Sequence, residues 1–568
     1  MSFYDDASLV FLPSGEAGKD GKAYSMKPTN GDGDFTFSRG SNLTATRVDS
    51  NGLIEKGREN LFKQSNNFDT TPWTGLTPTS GQTGYDGSND AWLLTKTSSG
   101  AQSVYNYINE TGVMTMSVYA KAGSTNWMRL TQGGKTAYFD LSGSGAVGTS
   151  SNGIDQTITS VGNGWFRCTL TANKTTAGQT PIYPYTAEGD ASGSTDSIYI
   201  QDAQFEQGLV ATEYIESGAT TGLAGILEDS PRFDYSGGAS CPSLLLEPSR
   251  SNLIPSEYLP LMSIIGSPVI TPNATTSPEG YQNMAEFSSS ATSDRYQKNL
   301  GVLSGQHTFS AFFKYSGTDK SVYLRMSDTS SRLKVDIASS GVTIDSGGSL
   351  NIDDSDVIDY GNGIYRAYMI FTPSTGTTFA QFYPSATDTS GSIYGYGFQM
   401  EQGSYPTSYI PNHSGGSVTR NADGQTLDIT NLISSTEGTL FFHLKDAKSH
   451  SQTNKILGIG DGSGVDNFFG LYVNDFQTGA VGIRNRQANA DLMNTAIPNP
   501  QNAKVAIKFS RSGVKTFLNG SEFQSSATAY TGWATSFDLN TSVGDVDLKQ
   551  YFLFPTALSD AECITLTS

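Results

Sequence analysis

Two glutamates, Glu206 and Glu401, stand in the same local setting, each at the end of a strand-like run just before glycine. A pair of carboxylates on either side of a sugar linkage is what glycoside hydrolysis requires, so these are the first candidates for chemistry. Because both occupy one repeated position, a hydrogen bond to a neighbouring turn or an arginine partner is the simpler role. No Gly-x-Ser-x-Gly elbow or Gly-x-x-x-x-Gly-Lys-Ser/Thr loop accompanies them, and neither an enzymatic activity nor a cofactor is expected. Asp461, Asp466 and Asn467 crowd one loop and Asp545 and Asp547 precede the last strand, the oxygen-rich chemistry a calcium ion takes. Solvated loop residues are the plainer reading, and Asp353, Asp354 and Asp356 read as a hairpin edge. Saccharide stacking would use Trp73, Trp127, Trp165, Trp533 or the pair Tyr183 and Tyr185. Trp165 follows a Gly-Asn-Gly turn and Trp127 lies in strand context, which favours core positions for both and leaves Trp73 and Trp533 freer. No metal or glycan contact is assigned to a particular residue.

Such residues need a scaffold, and the chain has 568 residues in which to build one, enough for roughly three to four domains. Its 54 acidic against 35 basic side chains give a net charge of −19, which opposes non-specific binding to nucleic acid or an anionic membrane. Charged residues are only 16%, while glycine is abundant at 62 and aromatics reach 11%, a composition suited to thin β layers joined by many turns. Cys168, Cys241 and Cys563 are too few and too far apart for a disulfide framework, and His307, His413, His443 and His450 form no HExxH set. Unpaired thiols in a protein made in a reducing compartment are expected. The opening MSFYDDASLVFLPSG is acidic where a signal peptide carries positive charge, and no stretch is long enough to span a bilayer.

Internal repetition is the strongest signal. Arg58-Glu59-Asn60-Leu61 returns as Arg250-Ser251-Asn252-Leu253, Met116 to Lys121 as Phe309 to Lys314, and Gly162-Asn163-Gly164-Trp165-Phe166-Arg167 as Gly361-Asn362-Gly363-Ile364-Tyr365-Arg366. Phe205-Glu206-Gln207-Gly208 with Tyr214-Ile215 returns as Met400-Glu401-Gln402-Gly403 with Tyr409-Ile410, and the lead-in Phe35-Thr36-Phe37-Ser38 as Phe233-Asp234-Tyr235-Ser236. The pattern predicts an N-terminal attachment segment over 1–57, sandwiches over 58–218 and 250–412, and a connector over 219–249 that repeats the lead-in. A third sandwich fills 413–568, with strands at 438–444, 455–460, 468–473, 480–484, 504–509 and 550–554, and a terminal turn or helix from Ser559.

The repeated units resemble the carbohydrate-binding-module-like jelly rolls of bacteriophage virion proteins, through Phe-x-Lys, Gly-Asn-Gly-aromatic-Arg, Gln-aromatic-Glu-x-Gly and Thr-x-Tyr-Ile-Pro. The second copy matches more fully, and the first has Glu216 where the motif has proline. The C-terminal part, with Thr439 to Leu444, the Val505 to Asn519 hairpin and Ala557-Leu558-Ser559-Asp560-Ala561-Glu562, resembles a concanavalin A-like or laminin-G-like sandwich. The resemblance implies an all-β fold of tandem jelly-roll sandwiches with a C-terminal concanavalin A-like sandwich. It also implies a head or tail fibre or decoration protein on the virion surface, made in the host cytoplasm. The expected partners are two further copies in a homotrimer, other virion proteins held through the N-terminal segment, and a bacterial surface glycan, but no nucleic acid and no membrane insertion. The alternative function is a receptor-binding adhesin that reads a host glycan through its C-terminal, distal domain.

Overall fold

The computed structural model describes residues 2–568 except 14–17, 20, 21, 38, 41, 42, 328, 329, 375, 450–453, 463–465, 475–479 and 541–543. Ser38, Ser41, His450 and the middle of the loop after Gly460 therefore lie outside the described residues. The protein is all-β: antiparallel sheets pair face to face into three sandwiches, and the described helices are Phe3–Asp6, the 3-10 turn Leu259–Leu261 and Asp560–Thr567. Asp560–Thr567 begins as its sequence predicts, with a reciprocal cap in which the Ser559 N–H donates to Glu562 at 2.7 Å. Among the described residues no helix is long and apolar enough to cross a membrane. Cys168 and Cys563 are buried and Cys241 exposed, all as free thiols.

The two repeated sandwiches share one strand order. In the first, one sheet runs Asp155–Gly162, Trp165–Lys174, Gly112–Ala122, Ser197–Gln207, Ala91–Thr95, Thr79–Gln82. The other runs Ala146–Ser151, Lys135–Asp140, Trp127–Gln132, Gly178–Tyr185, Val104–Ile108, Thr74–Gly75. The second sandwich repeats both sheets strand for strand, with His307–Lys314 in place of Gly112–Ala122 and Lys320–Met326 in place of Trp127–Gln132. The Gly-Asn-Gly turns work as the sequence implies: Asn163 and Asn362 take φ of 52° and 53°, followed by glycines at 76° and 72°, the left-handed pair a tight hairpin needs. Gly112–Ala122 and His307–Lys314 are nonetheless buried on both faces, not on one. Met114, Met116, Val118 and Ala120 face the core, while Thr115 and Ser117 are covered from outside.

The third sandwich packs Gly424–Asp428, Ser536–Asn540, Asn454–Gly460, Phe468–Asn474, Ala480–Gln487 and Ala490–Ala496 against a larger sheet built around Gly544–Phe554 and Gly438–Ser449. Here the structure corrects the reading of residues 1–57 and 219–249. Leu9–Phe11 pair with Leu553, Phe552 and Tyr551, and Ser243–Leu246 pair farther along the same edge, with Leu246 opposite Val546. Leu9, Phe11, Phe35, Phe37, Phe233, Leu244 and Leu246 are all buried in the third core. Phe11 stacks on Tyr551 at 5.3 Å and Phe35 meets Phe537 at 5.8 Å. These side chains bury about 1.5–3 kcal/mol of hydrophobic free energy each, and the short strands cover an edge that would otherwise be open to other chains. The N-terminal segment is thus part of the C-terminal sandwich, so the three units do not run in a line from an N-terminal anchor to a distal C-terminal tip.

Buried charges fasten this arrangement. Arg232 donates to Glu247 at 2.6 Å and to the Thr46 carbonyl at 3.0 Å, and it also pairs with Asp423. Arg39 reaches Asp423 at 3.0 Å and Arg420 reaches Glu247 at 2.8 Å. Burial opposes ionisation of Glu247, but Arg420 and Arg232 outweigh it and hold the carboxyl well below the usual carboxylate range. A second seam brings Lys56 to 2.9 Å from Glu279 and 3.5 Å from Glu257, which also accepts from Tyr396 at 3.1 Å and Tyr409 at 3.2 Å. The first sandwich docks on the second through Arg58 to Tyr281 at 2.7 Å, Asn273 to Asp155 at 2.6 Å and the Val113 N–H to the His413 carbonyl at 2.9 Å.

Between the second and third sandwiches lies a cavity of about 640 Å³ lined by Arg47, Tyr360, Pro406, Lys448, Asp446, Asp545 and Asp547. Asp547 accepts from Ser243 at 2.8 Å and pairs with Lys445 at 3.3 Å. Burial, only partly offset by Lys448, pushes the Asp545 carboxyl up to about 7.

Two outcomes follow from these seams. Replacing Arg232 by alanine takes one of two arginine partners from each of two buried carboxylates and should cost about 3–5 kcal/mol, read by guanidinium unfolding with tryptophan fluorescence. A loss under about 1 kcal/mol would contradict the hub. Asp545 binds its proton more tightly when folded than at its ordinary 3.8. Its ionisation above about pH 7 therefore costs stability, and the folded state gains as pH falls from 8 towards 5. His413 acts oppositely: burial holds it neutral down to about 4, so stability is lost as pH falls below its ordinary 6.5. Asp545→Asn should raise the melting midpoint at pH 8 and remove the rise that Asp545 contributes as pH falls from 7 towards 5, whereas an unchanged pH slope in a thermal-shift series would contradict the assignment.

Candidate functional site

The repeated landmarks converge in space, and what they build is a lock. Asn60 donates to the carbonyls of Ala203 at 3.1 Å and Ile215 at 2.8 Å, and its carbonyl oxygen accepts from the Phe205 N–H at 3.0 Å. Asn252 repeats this with Phe398, Ile410 and Met400. Gln204 accepts from the Ile215 N–H and Gln399 from the Ile410 N–H, both at 2.7 Å. Glu206 accepts from the Thr212 N–H at 2.9 Å and hydroxyl at 2.7 Å, and Glu401 from the same groups of Thr407 at 3.0 and 2.6 Å. Arg167 and Arg366 complete each copy by donating to the Thr212 and Thr407 carbonyls at 2.5 and 2.7 Å. This exit segment is what buries Thr115, Ser117, Thr308 and Ser310. Both glutamates are thereby turn anchors, and burial raises the Glu206 carboxyl against the pull of its hydrogen bonds.

The acidic loops do not assemble a cation site among the described residues, where no group of three or more carboxylate, histidine or cysteine ligands comes together. Asp461 accepts from Asn467 at 2.7 Å, and Asn467 in turn holds the Ala488 N–H at 2.8 Å. Asp545 and Asp547 stand opposite Lys448 and Asp446 in the other sheet of the third sandwich. Asp353 accepts from Gln306 and Thr372, while Asp354 and Asp356 sit on the outermost strand Asp354–Asp359.

The aromatic candidates divide sharply. Trp73 is buried against Phe62 and Phe68 at 5.0 and 4.9 Å, and Trp165 is buried likewise, so Trp73 is not the free side chain its sequence context suggests. Trp533 packs on Phe469 at 4.8 Å and donates to Gln487 at 3.0 Å. Gln487 also donates to the Ala529 carbonyl at 2.9 Å, so this polar group from the C-terminal loops is used inside the fold.

Trp127, Tyr183 and Tyr185 lie on the outward face of the first sandwich's second sheet, the first two half-buried and Tyr185 buried beneath its neighbours. Residues directly opposite share a face: Tyr185 faces Trp127, while Tyr183 faces Arg129, which faces Tyr138. Met128, Leu130 and Phe139 alternate inward. The Arg129 guanidinium lies 3.9 Å over the Tyr183 ring and 4.8 Å over Tyr185, and Tyr138 meets Tyr185 at 5.4 Å. Burial works against the charge on Arg129, but the hydroxyls of Tyr138, Tyr185 and Tyr183 outweigh it and raise its proton affinity. Gly148 makes room for the indole, since a Cβ there would sit 2.9 Å from the Trp127 ring. Trp127 is thus a half-buried outer residue rather than the core residue its strand context suggests.

The second sandwich carries the same arrangement, which sequence reasoning missed. Tyr383 faces Tyr323 in one row, and Gln381, Arg325 and Arg332 form the next. Tyr323 and Tyr383 meet edge to face at 6.3 Å, and Arg325 and Arg295 lie 5.8 and 5.6 Å from the Tyr383 ring. The signal was available, because Trp127-x-Arg129 falls on Tyr323-x-Arg325 at an offset of 196, inside the range of the other landmarks.

No family model matches the chain, and no curated protein matches it. Among solved structures, the CBM40 of the Ruminococcus gnavus IT-sialidase is similar at 17% identity with a TM-score of 0.19, over 26% of this chain and 93% of that one.

Proposed function

We propose that this chain is a surface protein of a bacteriophage particle, a head or tail fibre or decoration component, that adheres to saccharides through the outer sheet faces of its two repeated sandwiches. The observation that carries the adhesive reading is the aromatic-arginine pair at register-equivalent positions, Trp127, Arg129 and Tyr185 in one copy and Tyr323, Arg325 and Tyr383 in the other. Aromatic rings suit the apolar faces of sugar rings, and the guanidiniums and amides beside them suit the hydroxyls. The virion role is supported by the motif resemblance along the repeats. Assembly as a homotrimer fits the apolar side chains exposed on the second sandwich, Ile264, Ile265, Val269 and Val302. The reading places saccharide contact on the repeated units in preference to the C-terminal loops.

Full-length protein should bind polysaccharide extracted from the host surface. Trp127→Ala with Tyr323→Ala should weaken that binding roughly tenfold or more, about 1.4 kcal/mol, with the unfolding midpoint unchanged. Unaltered affinity in the folded double variant would contradict the assignment of these faces, and absence of binding by the unaltered chain would leave only a scaffold role.

A further inference from the structure

The two faces are not equivalent. In the first sandwich the arginine row ends in Tyr138, whereas in the second the same register position is Arg332. Arg295 stands directly opposite Tyr383 across the sheet, because Tyr296 pairs with Phe382 one residue on. The second face therefore gathers three guanidiniums around two tyrosines, with Arg332 lying 5.2 Å from the Tyr323 ring. Their hydrogen bonds go to neutral groups: Arg295 donates to Gln297 at 3.0 Å and to the Ser293 carbonyl at 3.1 Å, Arg332 to the Gly348 carbonyl at 2.9 Å, and Arg325 to the Tyr383 hydroxyl at 3.4 Å. Among the described residues none of the three has a carboxylate within 4.0 Å, a condition shared by Arg129, Arg167, Arg366 and Arg511, whereas Arg39, Arg47, Arg58, Arg232, Arg420 and Arg484 have one; what sets this face apart is that three such guanidiniums lie together. Arg325 Nε is shielded from solvent and has no hydrogen-bond partner. The neighbouring Lys334 is paired with Asp345 at 2.8 Å and Asp336 at 3.4 Å, unlike the three arginines.

In a chain with 54 acidic and 35 basic side chains, three arginines on one aromatic face that have no carboxylate partner among the described residues point to an anionic ligand. We infer that the second sandwich recognises an acidic saccharide, its rings against the half-buried Tyr323 and its carboxylate, sulfate or phosphate substituent in the fork of Arg295, Arg325 and Arg332, which the buried Tyr383 supports from beneath. Guanidinium donors match such oxyanions two bonds at a time, and their weak hydration lets them remain stacked on tyrosine. The inference rests on the saccharide reading above and adds the ligand's charge. A single-stranded nucleic acid also offers rings and anions, and because the net charge of −19 opposes the long-range approach of any polyanion, it is tested beside the saccharide as the competing ligand.

The test is binding of full-length protein to polygalacturonate, to its carboxyl-reduced galactan and to a single-stranded oligonucleotide. At least tenfold preference for polygalacturonate over the reduced polymer is expected, and Arg325→Gln with Arg332→Gln should abolish the preference by lowering affinity for polygalacturonate far more than affinity for the reduced polymer. Trp127→Ala should leave the preference intact. Should the arginine pair of substitutions disturb folding, Arg325→Lys with Arg332→Lys keeps the charge, and a reduced but persistent preference is expected. Equal binding of the two polysaccharides overturns the inference and leaves the saccharide reading standing. Binding of neither overturns both, and oligonucleotide binding as tight as that of polygalacturonate replaces the saccharide with a non-specific anion surface.

Discussion

Glu247 and Asp423, ringed by Arg39, Arg232 and Arg420, are the constraint on which the rest of the molecule depends. Charges taken out of water cost several kcal/mol each unless every partner is in place. These partners come from the lead-in, from the connector and from the segment that leaves the second sandwich. Satisfying one ion thus requires all three stretches to be folded together. Once they are, Leu9–Phe11 and Ser243–Leu246 are delivered to the open edge of Gly544–Phe554, and the third core closes around Phe11, Phe35 and Phe233. A linear string of beads would have no need of such a hub. A molecule whose first and last strands share a sheet does.

Within each repeated sandwich the division of labour follows from where the polar residues go. Asn, Gln, Glu, Thr and Arg of the repeated motifs are consumed in fastening the exit segment over one sheet, which leaves them no part in binding. The opposite sheet keeps its outer face, and there the alternation places Trp127, Arg129 and Tyr183 or Tyr323, Arg325 and Tyr383 outward while Leu130 and Leu324 fill the cores. On the proposed reading, adhesion and stability fall to different sheets. Substitution of Tyr138 by Arg332 at the same register position then changes what the face can bind without touching the lock.

How much of this was legible depended on sequence distance. Strands such as Lys504–Ser510 and Asn454–Gly460 declare themselves by local alternation and turn residues, and the duplicated units declare themselves by the constant spacing of five landmarks. The cap at Ser559 is equally local. Pairing of Leu9 with Leu553 spans nearly the whole chain, and a three-residue apolar run cannot announce its partner. The hub was illegible for the same reason, since nothing near Arg232 or Asp423 marks them as buried. Trp73 read as free because the loop around it is polar, whereas tertiary packing against Phe62 and Phe68 decides its burial. The proposed adhesive face was half legible: Trp127 and the two tyrosines could be nominated and the repeat offset points to Tyr323 and Arg325, but only the register shows that Arg129 stands among the aromatics and that Tyr383 joins their counterparts.

The central claim is that residues at the start of the chain, the connector and the C-terminal sandwich form one cooperative body, to which the first sandwich is docked but not essential. Amide hydrogen exchange on a chain lacking residues 2–37, compared with the full chain, tests it most directly. The account predicts that Gly438–Ser449 and Gly544–Phe554 lose protection by at least tenfold while Gly112–Ala122 and Trp165–Lys174 keep theirs. Unchanged protection along Gly544–Phe554 in the truncated chain would contradict it.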